Sequence, residues 1–512
     1  MPRTAEQAYH DLLRRSRECS LLASCGGVLG WDERTYMPRN GSAHRAEQIA
    51  LVARMTHEMI TAPQIGELLA QVEASPLVRD PDSPVTANVR ELRRTYDRAV
   101  KLPRELVEEI ARVSTRAQQV WQEARHQSQL QPKSNAFAVF QPWLEKIVRL
   151  KQQEAQAIGY KQSAYDALLD EYEPGATAAE ITRVFAALRT ELVPLIQQIV
   201  DSGQQPRRDV VEREYPVDRQ EFFGAAAAAA IGFDFEAGRL DVTTHPFCTG
   251  LGPGDTRITT RYNLRHFNDA FFGILHETGH GIYDQGLPAE HFGTPLGSAV
   301  SLGVHESQSR MWENFVGRSR PFWECFFPRL RQVFPATLND VSFDDFYFAV
   351  NDVQPSFIRV EADEVTYNLH IILRFELEQA LTSGDLKPAD VPAAWNTSFR
   401  SFFNLSPASD ALGCLQDVHW SMGGIGYFPT YTLGNMYAAQ FMQQARKDLG
   451  DLDGDFRRAE FGKLKQWLND KIHRHGQHYR AGQLCRNITG RPLNHEPLIQ
   501  YLHTKYVPLY GL

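Results

Sequence analysis

His276-Glu277-Thr278-Gly279-His280 is the stretch whose residue types and spacing most directly specify chemistry. On a helix, residues four apart lie on one face. The two imidazoles can therefore reach one metal ion, and Glu277 stands close enough to take a proton from water. Neutral imidazole nitrogens bind zinc at about 2.0 to 2.1 Å, and a catalytic zinc needs a third protein ligand and an open position. Glu306, in His305-Glu306-Ser307-Gln308, lies 26 residues downstream of His280, room enough for a loop and a second, antiparallel helix. A carboxylate as third ligand leaves residual positive charge to polarise water and a substrate carbonyl. A structural zinc usually has four protein ligands, often Cys, and no Cys cluster lies near the motif. A chance match would more often fall in a polar loop. This one follows the apolar run Phe271, Phe272, Ile274, Leu275. Gly279 allows close approach of another backbone.

Other segments carry chemistry less specifically. Arg257, in Asp255-Thr256-Arg257-Ile258-Thr259, reads either as a carboxylate ligand or as the partner of Asp255, and the ion pair is favoured. Arg359, in Ile358-Arg359-Val360-Glu361-Ala362-Asp363, is equally open between ion pair and clamp. The segment Gly413 to Tyr431 contains His419, Tyr427 and Tyr431 among glycines. It reads as a source of donors for a developing oxyanion or as a packed aromatic corner. His245, in His245-Pro246-Phe247, is weaker still, since a lone His is usually a satisfied buried group.

The elements that position these residues are mostly helical. Helical periodicity covers residues 4–26, 43–75, 85–130, 134–159 and 177–202, and Thr177 with Glu180 predicts a capping box. The segment 31–41 reads as a loop, as does Pro76 to Pro84. Alanines 225–230 favour helix. Residues 240–266 change character, with Thr243, Thr244, Ile258, Thr259, Thr260 and Tyr262 among glycines. Two short strands are expected there, forming a small sheet beside the metal helix. The fold class is thus mainly α. The 512 residues would suggest about three domains, but no repeat, low-complexity tract or linker is visible. One continuous body over 1–512 is expected, with about 1–200 as a helical lid layer and about 201–512 as the catalytic part.

The chain is 43% hydrophobic and 23% charged, with net charge −8 and scattered Lys and Arg. That argues against a nucleic-acid partner. Six cysteines without a C-x-x-C pair suggest free thiols in a reducing compartment. No signal peptide is visible, and the longest apolar run, Ala225 to Phe233, is too short to cross a membrane. A cytoplasmic location is expected.

Taken together, these segments resemble the carboxypeptidase Taq family, the thermostable carboxypeptidase 1 type of metallocarboxypeptidase. The resemblance spans most of the chain. It includes Trp31-Asp32 to Met37-Pro38, His245-Pro246-Phe247, D-x-R-x-T at 255–259 and H-E-x-x-H at 276–280. H-E-S-Q at 305–308, I-R-x-x-A-D at 358–363 and G-x-x-Q-D-x-H-W at 413–420 complete it. The resemblance implies a helical, saddle-like fold with a deep groove, similar to neurolysin and angiotensin-converting enzyme. It implies a homodimer, one divalent metal per subunit (usually zinc, with cobalt serving in some members), and removal of single C-terminal residues with broad specificity, poor at proline. It also implies His276, His280 and Glu306 as metal ligands and Glu277 as catalytic acid/base. Arg359, Arg257, His245, His419, Tyr427 and Tyr431 would surround the substrate. The rival readings are an oligopeptidase or dipeptidyl carboxypeptidase on the same metal, and an inactive peptide-binding protein.

Overall fold

A computed structural model of the chain describes residues 3–512. Helix follows helix along it, with one three-stranded sheet among the described residues. The chain forms two compact units, each drawn from three stretches. The first takes the chain up to Val100, Pro206–Val350 and Tyr437–Pro492; the second takes Lys101–Gln205, Asn351–Met436 and Leu493–Leu512.

In the first unit, the opening helix Ala5–Thr35 starts at a capping box, in which Thr4 and Gln7 exchange side-chain-to-backbone hydrogen bonds. It runs through Trp31 to Thr35, so the first part of the expected 31–41 loop is helical. Tertiary burial accounts for the difference. Trp31 is buried, with the guanidinium of Arg257 4.2 Å and that of Arg239 5.1 Å from its ring centre. Packing of this kind outweighs the weak helix preference of the local sequence. Prolines divide two of the expected long helices: Ser42–Ile60 is followed by Pro63–Glu73, and Pro84–Lys101 by Arg104–Leu130 after Pro103. A residue before proline is pushed out of the α region, and Ala62 before Pro63 has ψ 129°.

The sheet has three strands, not two: β1 (Gly238–Val242), β2 (Cys248–Gly252) and β3 (Asp255–Thr260), in the order β1-β3-β2. β1 runs parallel to β3, with Arg239 opposite Arg257, and β2 runs antiparallel to it, with Cys248 opposite Ile258. The extra strand is β2, whose Gly250 and Gly252 read as breaks, while β1 ends just before the Thr243-Thr244 pair. The sheet lies against the helix Phe267–Gly286, which carries the H-E-x-x-H motif. A Cβ at Gly250 of β2 would touch Asp284, and one at Gly281 would touch Ile258 of β3. The N-terminal part of that helix is fixed by aromatic packing. Phe267 and Phe271 stack at 5.1 Å and meet Phe223, Phe322, Trp323 and Phe334.

In the second unit, Phe137–Ile158 packs on Arg104–Leu130. The helix Tyr367–Ser383 is buried along nearly its whole length. Thr177 caps Ala178–Asp201 by accepting from the Glu180 N–H, but the Glu180 carboxylate meets the Thr177 hydroxyl instead of closing the box. Of the segment 404–434, most is turn and 3₁₀ helix before Pro429–Leu449 begins. All six cysteines are unpaired. No described helix is long and apolar enough to cross a membrane.

Candidate functional site

The helix Leu302–Arg310 and the π-helical turn Met311–Val316 pass the motif helix in the opposite direction. Leu275 lies at Gly317, Gly279 at Gln308 and Ser309, and Asp284 at His305, so one number rises as the other falls. Gly279 makes the contact possible. A Cβ there would sit 2.6 Å from the Ser309 Cα and closer still to the Gln308 carbonyl oxygen. No side chain fits against backbone at that distance.

This crossing brings the expected ligands together. Single ligand atoms of His276, His280 and Glu306 lie within 4.8 Å of one another. Glu306 Oε2 is 3.7 Å from His276 Nε2 and 3.5 Å from His280 Nε2. Tetrahedral bonds of about 2.0–2.1 Å place neighbouring ligand atoms about 3.3–3.4 Å apart, close to these two distances. The remaining ring nitrogens are already held. His276 Nδ1 lies 2.9 Å from Glu313 Oε2. His280 Nδ1 lies 2.6 Å from His305 Nδ1, and His305 Nε2 lies 3.0 Å from Asp284 Oδ1. With Nε2 reserved for a metal, His280 Nδ1–H donates to His305, whose Nε2–H donates to Asp284. Such outer partners fix ring orientation and tautomer.

Electrostatics separate the groups: against burial in both cases, the facing carboxylates Glu306 and Glu313 raise His276, and Asp284 raises His305. Burial pushes His280 down to about 4, leaving a neutral imidazole. Burial alone would raise Glu306, but Arg310, His276 and His280 outweigh it and hold the carboxyl well below its usual range. Arg310 donates to Glu306 at 2.7 Å and to Glu313 at 3.1 Å. Glu313 is likewise depressed, to about 2, with Arg310 and His276 overcoming burial. Glu277 goes the other way. It is 7% exposed, and burial lifts it to about 7, with His276 opposing and Glu306 adding to the rise.

In the second unit, two arginines share one carboxylate. Arg359 Nε donates to Asp417 Oδ1 at 2.9 Å, and Arg374 Nε donates to Asp417 Oδ2 at 2.7 Å. Arg359 also donates to the Tyr367 hydroxyl at 2.9 Å. Asp417 is therefore held far below its ordinary value against the effect of burial, and the trio keeps one formal positive charge. The Arg359 guanidinium lies 5.1 Å from the Tyr431 ring centre. The Tyr431 hydroxyl is 3.5 Å from His419 Nε2, and the Tyr427 and His419 rings are 5.3 Å apart. Burial pushes His419 down to about 4, so its ring is neutral.

Arg359, His419, Tyr427 and Tyr431 thus share one cluster. Arg257 and His245 belong to the sheet of the first unit. Arg257 forms a two-pronged pair with Asp255, each bond 2.9 Å, which is the ion-pair alternative, and it packs on Trp31. His245 is exposed between β1 and β2 and is not a buried, satisfied group. Sequence reasoning overlooked Asp284, His305, Arg310, Glu313 and Arg374. Asp284 had a signal, since it continues the His276, His280 spacing by four more residues. Arg310 and Glu313 stand four and seven residues beyond Glu306, on its helical face.

The carboxypeptidase Taq (M32) metallopeptidase family model matches residues 11–506. The chain belongs to that family. It is a metal-dependent carboxypeptidase, and so a peptide hydrolase, as its motifs anticipated. Thermostable carboxypeptidase 1 of Thermus thermophilus is 49% identical over 517 residues, covering 99% of this chain and 100% of the relative. Carboxypeptidase 1 of Bacillus subtilis is 38% identical, covering 99% of each. Among solved structures, the M32 carboxypeptidase of Deinococcus radiodurans R1 superposes with a TM-score of 0.94 at 39% identity, covering 99% of this chain and 100% of that one. The mainly helical architecture is that of the M32 carboxypeptidases.

Proposed function

We propose that this M32 carboxypeptidase releases single C-terminal residues from peptides, with zinc held by His276, His280 and Glu306. The observation that carries the metal half is the convergence of those three ligand atoms within 4.8 Å, on two helices locked by Gly279. Zinc suits a site of two imidazoles and a carboxylate, and cobalt would fit the same ligands. A bound divalent cation supplies Lewis acidity toward the water and the scissile carbonyl. Glu277 acts as general base, taking the proton of the attacking water and returning it to the leaving amine. Its carboxyl near 7 suits both roles. Tyr427 or Tyr431 donates to the developing oxyanion. Arg359 holds the free C-terminal carboxylate by charge-assisted hydrogen bonds. The surplus positive charge of the Arg359–Asp417–Arg374 trio supports that assignment. His419, neutral at working pH, contributes a hydrogen bond. His245 and Arg257 remain candidates for contacts to more distant parts of the peptide, Arg257 with less support because Asp255 already engages it. A homodimer in the cytoplasm is part of the same reading, and its mass in solution checks the first half.

A peptide-ladder assay tests the reaction. Metal-loaded protein is expected to shorten a free peptide one residue at a time from the C-terminus and to leave the C-terminally amidated peptide largely intact. Release of dipeptides or internal fragments favours the oligopeptidase alternative. Equal cleavage of free and amidated peptides removes the carboxylate clamp. In Arg359→Ala the preference for the free C-terminus is expected to fall by roughly 10–150-fold, the value of a charge-assisted interaction of about 1.5–3 kcal/mol.

A further inference from the structure

The buried helix Tyr367–Ser383 presents Arg374 and Glu378 one turn apart, on one face. Arg374 takes Asp417, as described. Glu378, with no exposed surface, takes the chain just beyond. Its Oε1 accepts from the Trp420 indole N–H at 2.9 Å, and its Oε2 accepts from the Gly426 backbone N–H at 3.0 Å. Oε2 also accepts from the Tyr165 hydroxyl at 2.7 Å. Asp417, Trp420 and Gly426 are therefore pinned to two successive turns of one helix. Between and immediately after these pins stand His419 and Tyr427. Gly426 adopts φ +94°, and a Cβ on it would lie 2.9 Å from the Leu168 backbone. The segment therefore lies directly against the Leu168–Leu169 backbone, where only glycine fits. A buried carboxylate costs several kcal/mol unless it is well paired. Three donors converge on Glu378, and all three come from outside its own helix.

We infer that Glu378 is a positioning residue of the reaction: it fixes the Trp420–Gly426 segment from both ends and so sets the placement of Tyr427 and His419. It touches no reacting atom itself. The inference rests on the proposed role of Tyr427 in the reaction, and the experiment separates the two. Displacing a group by about 1 Å can cost on the order of 100-fold in rate. Glu378→Gln keeps the shape but turns an amide N–H₂ toward at least one donor. Steady-state kinetics on a free-carboxylate peptide would be measured for Glu378→Gln, Tyr427→Phe and the double variant, with metal content and melting temperature alongside. The expected result is a fall in kcat of about 10–100-fold for Glu378→Gln with KM changed less than about threefold. Metal content stays stoichiometric, and the double variant is no slower than Tyr427→Phe alone. Unchanged kcat in folded Glu378→Gln overturns the inference, as does a double variant whose loss is the product of the two single losses. Wild-type kcat in Tyr427→Phe overturns the assignment of Tyr427. In that case a fall in Glu378→Gln that disappears in a His419→Ala background still supports positioning, through His419, and one that persists undiminished overturns it. Should Glu378→Gln not fold, Trp420→Phe removes one donor only and is read by the same criteria.

Discussion

Glu277 sits beside a glutamate it does not resemble electrically. Glu306 is held ionised by Arg310 and the two histidines, whereas burial keeps Glu277 near 7. Environments that push two carboxyls apart in this way divide labour between them. One stays a charged ligand and the other exchanges protons. Glu277→Gln is expected to retain the metal, since none of the three ligand atoms is changed, and to lose about 100–10,000-fold in kcat, the usual worth of a general acid/base. Metal analysis with single-turnover kinetics checks it, and substantial turnover in the loaded variant would dismiss Glu277 as the base. At this scale the sequence was informative about residues with fixed spacing on one helix and poor at partners from elsewhere. His276, Glu277 and His280 are legible from the 3.6-residue repeat alone. His305, which holds His280 from the neighbouring helix, carries no local pattern, because its role depends on the register of two helices.

That register depends on one glycine at the scale of the element. The motif helix and Leu302–Arg310 approach so closely at Gly279 that a methyl group would overlap the Gln308 carbonyl. Gly279→Ala is expected to lower stability by about 1–3 kcal/mol through overpacking. It should also weaken metal binding, because separating the helices draws Glu306 away from His276 and His280. A melting curve with and without metal, together with chelator competition, would show both effects, and a variant with wild-type values on each would mean the crossing is not tight. Elements were legible where periodicity was long. They were not where tertiary contacts decided the outcome, as at Trp31, whose helix continues because two arginines and the sheet receive the indole. β2 escaped notice because Gly250 and Gly252 lie within Cys248–Gly252, and glycine is depleted in strands.

For the molecule as a whole, neither compact unit is a continuous stretch of sequence, and no change in composition marks where the chain leaves one and enters the other. The organisation is set by long-range packing that hydropathy does not record. One consequence of that packing is a pH dependence of stability. In the second unit, burial raises Glu378 from 4.5 to about 7, with Tyr165, Gly426 and Trp420 opposing. Burial likewise raises Asp363 from 3.8 to about 6 despite its bonds from Thr366, Val365 and Gln354. A carboxyl raised on folding binds more protons in the folded state. Its contribution is therefore fully present below the unfolded value and is lost as pH rises through the folded one. Asp417 has the opposite sign: its contribution is present above its ordinary value and is lost in acid. From about pH 5 to about pH 8, Asp417 stays ionised in both states while Glu378 and Asp363 lose protons in the folded state. Glu378→Gln removes one of those titrations and leaves every other. Whatever its absolute stability, the variant should gain on the parent as pH rises, by at most about 1.4 kcal/mol per pH unit between 4.5 and about 7. Urea unfolding of the pair of proteins across that range checks it. The difference should grow through the neutral region and level off on the alkaline side, where Glu378 is charged in both states. A difference that stays flat would mean that the three donors just offset the loss of solvent, and one that shrinks would mean that they outweigh it and keep the carboxylate ionised at the acidic end.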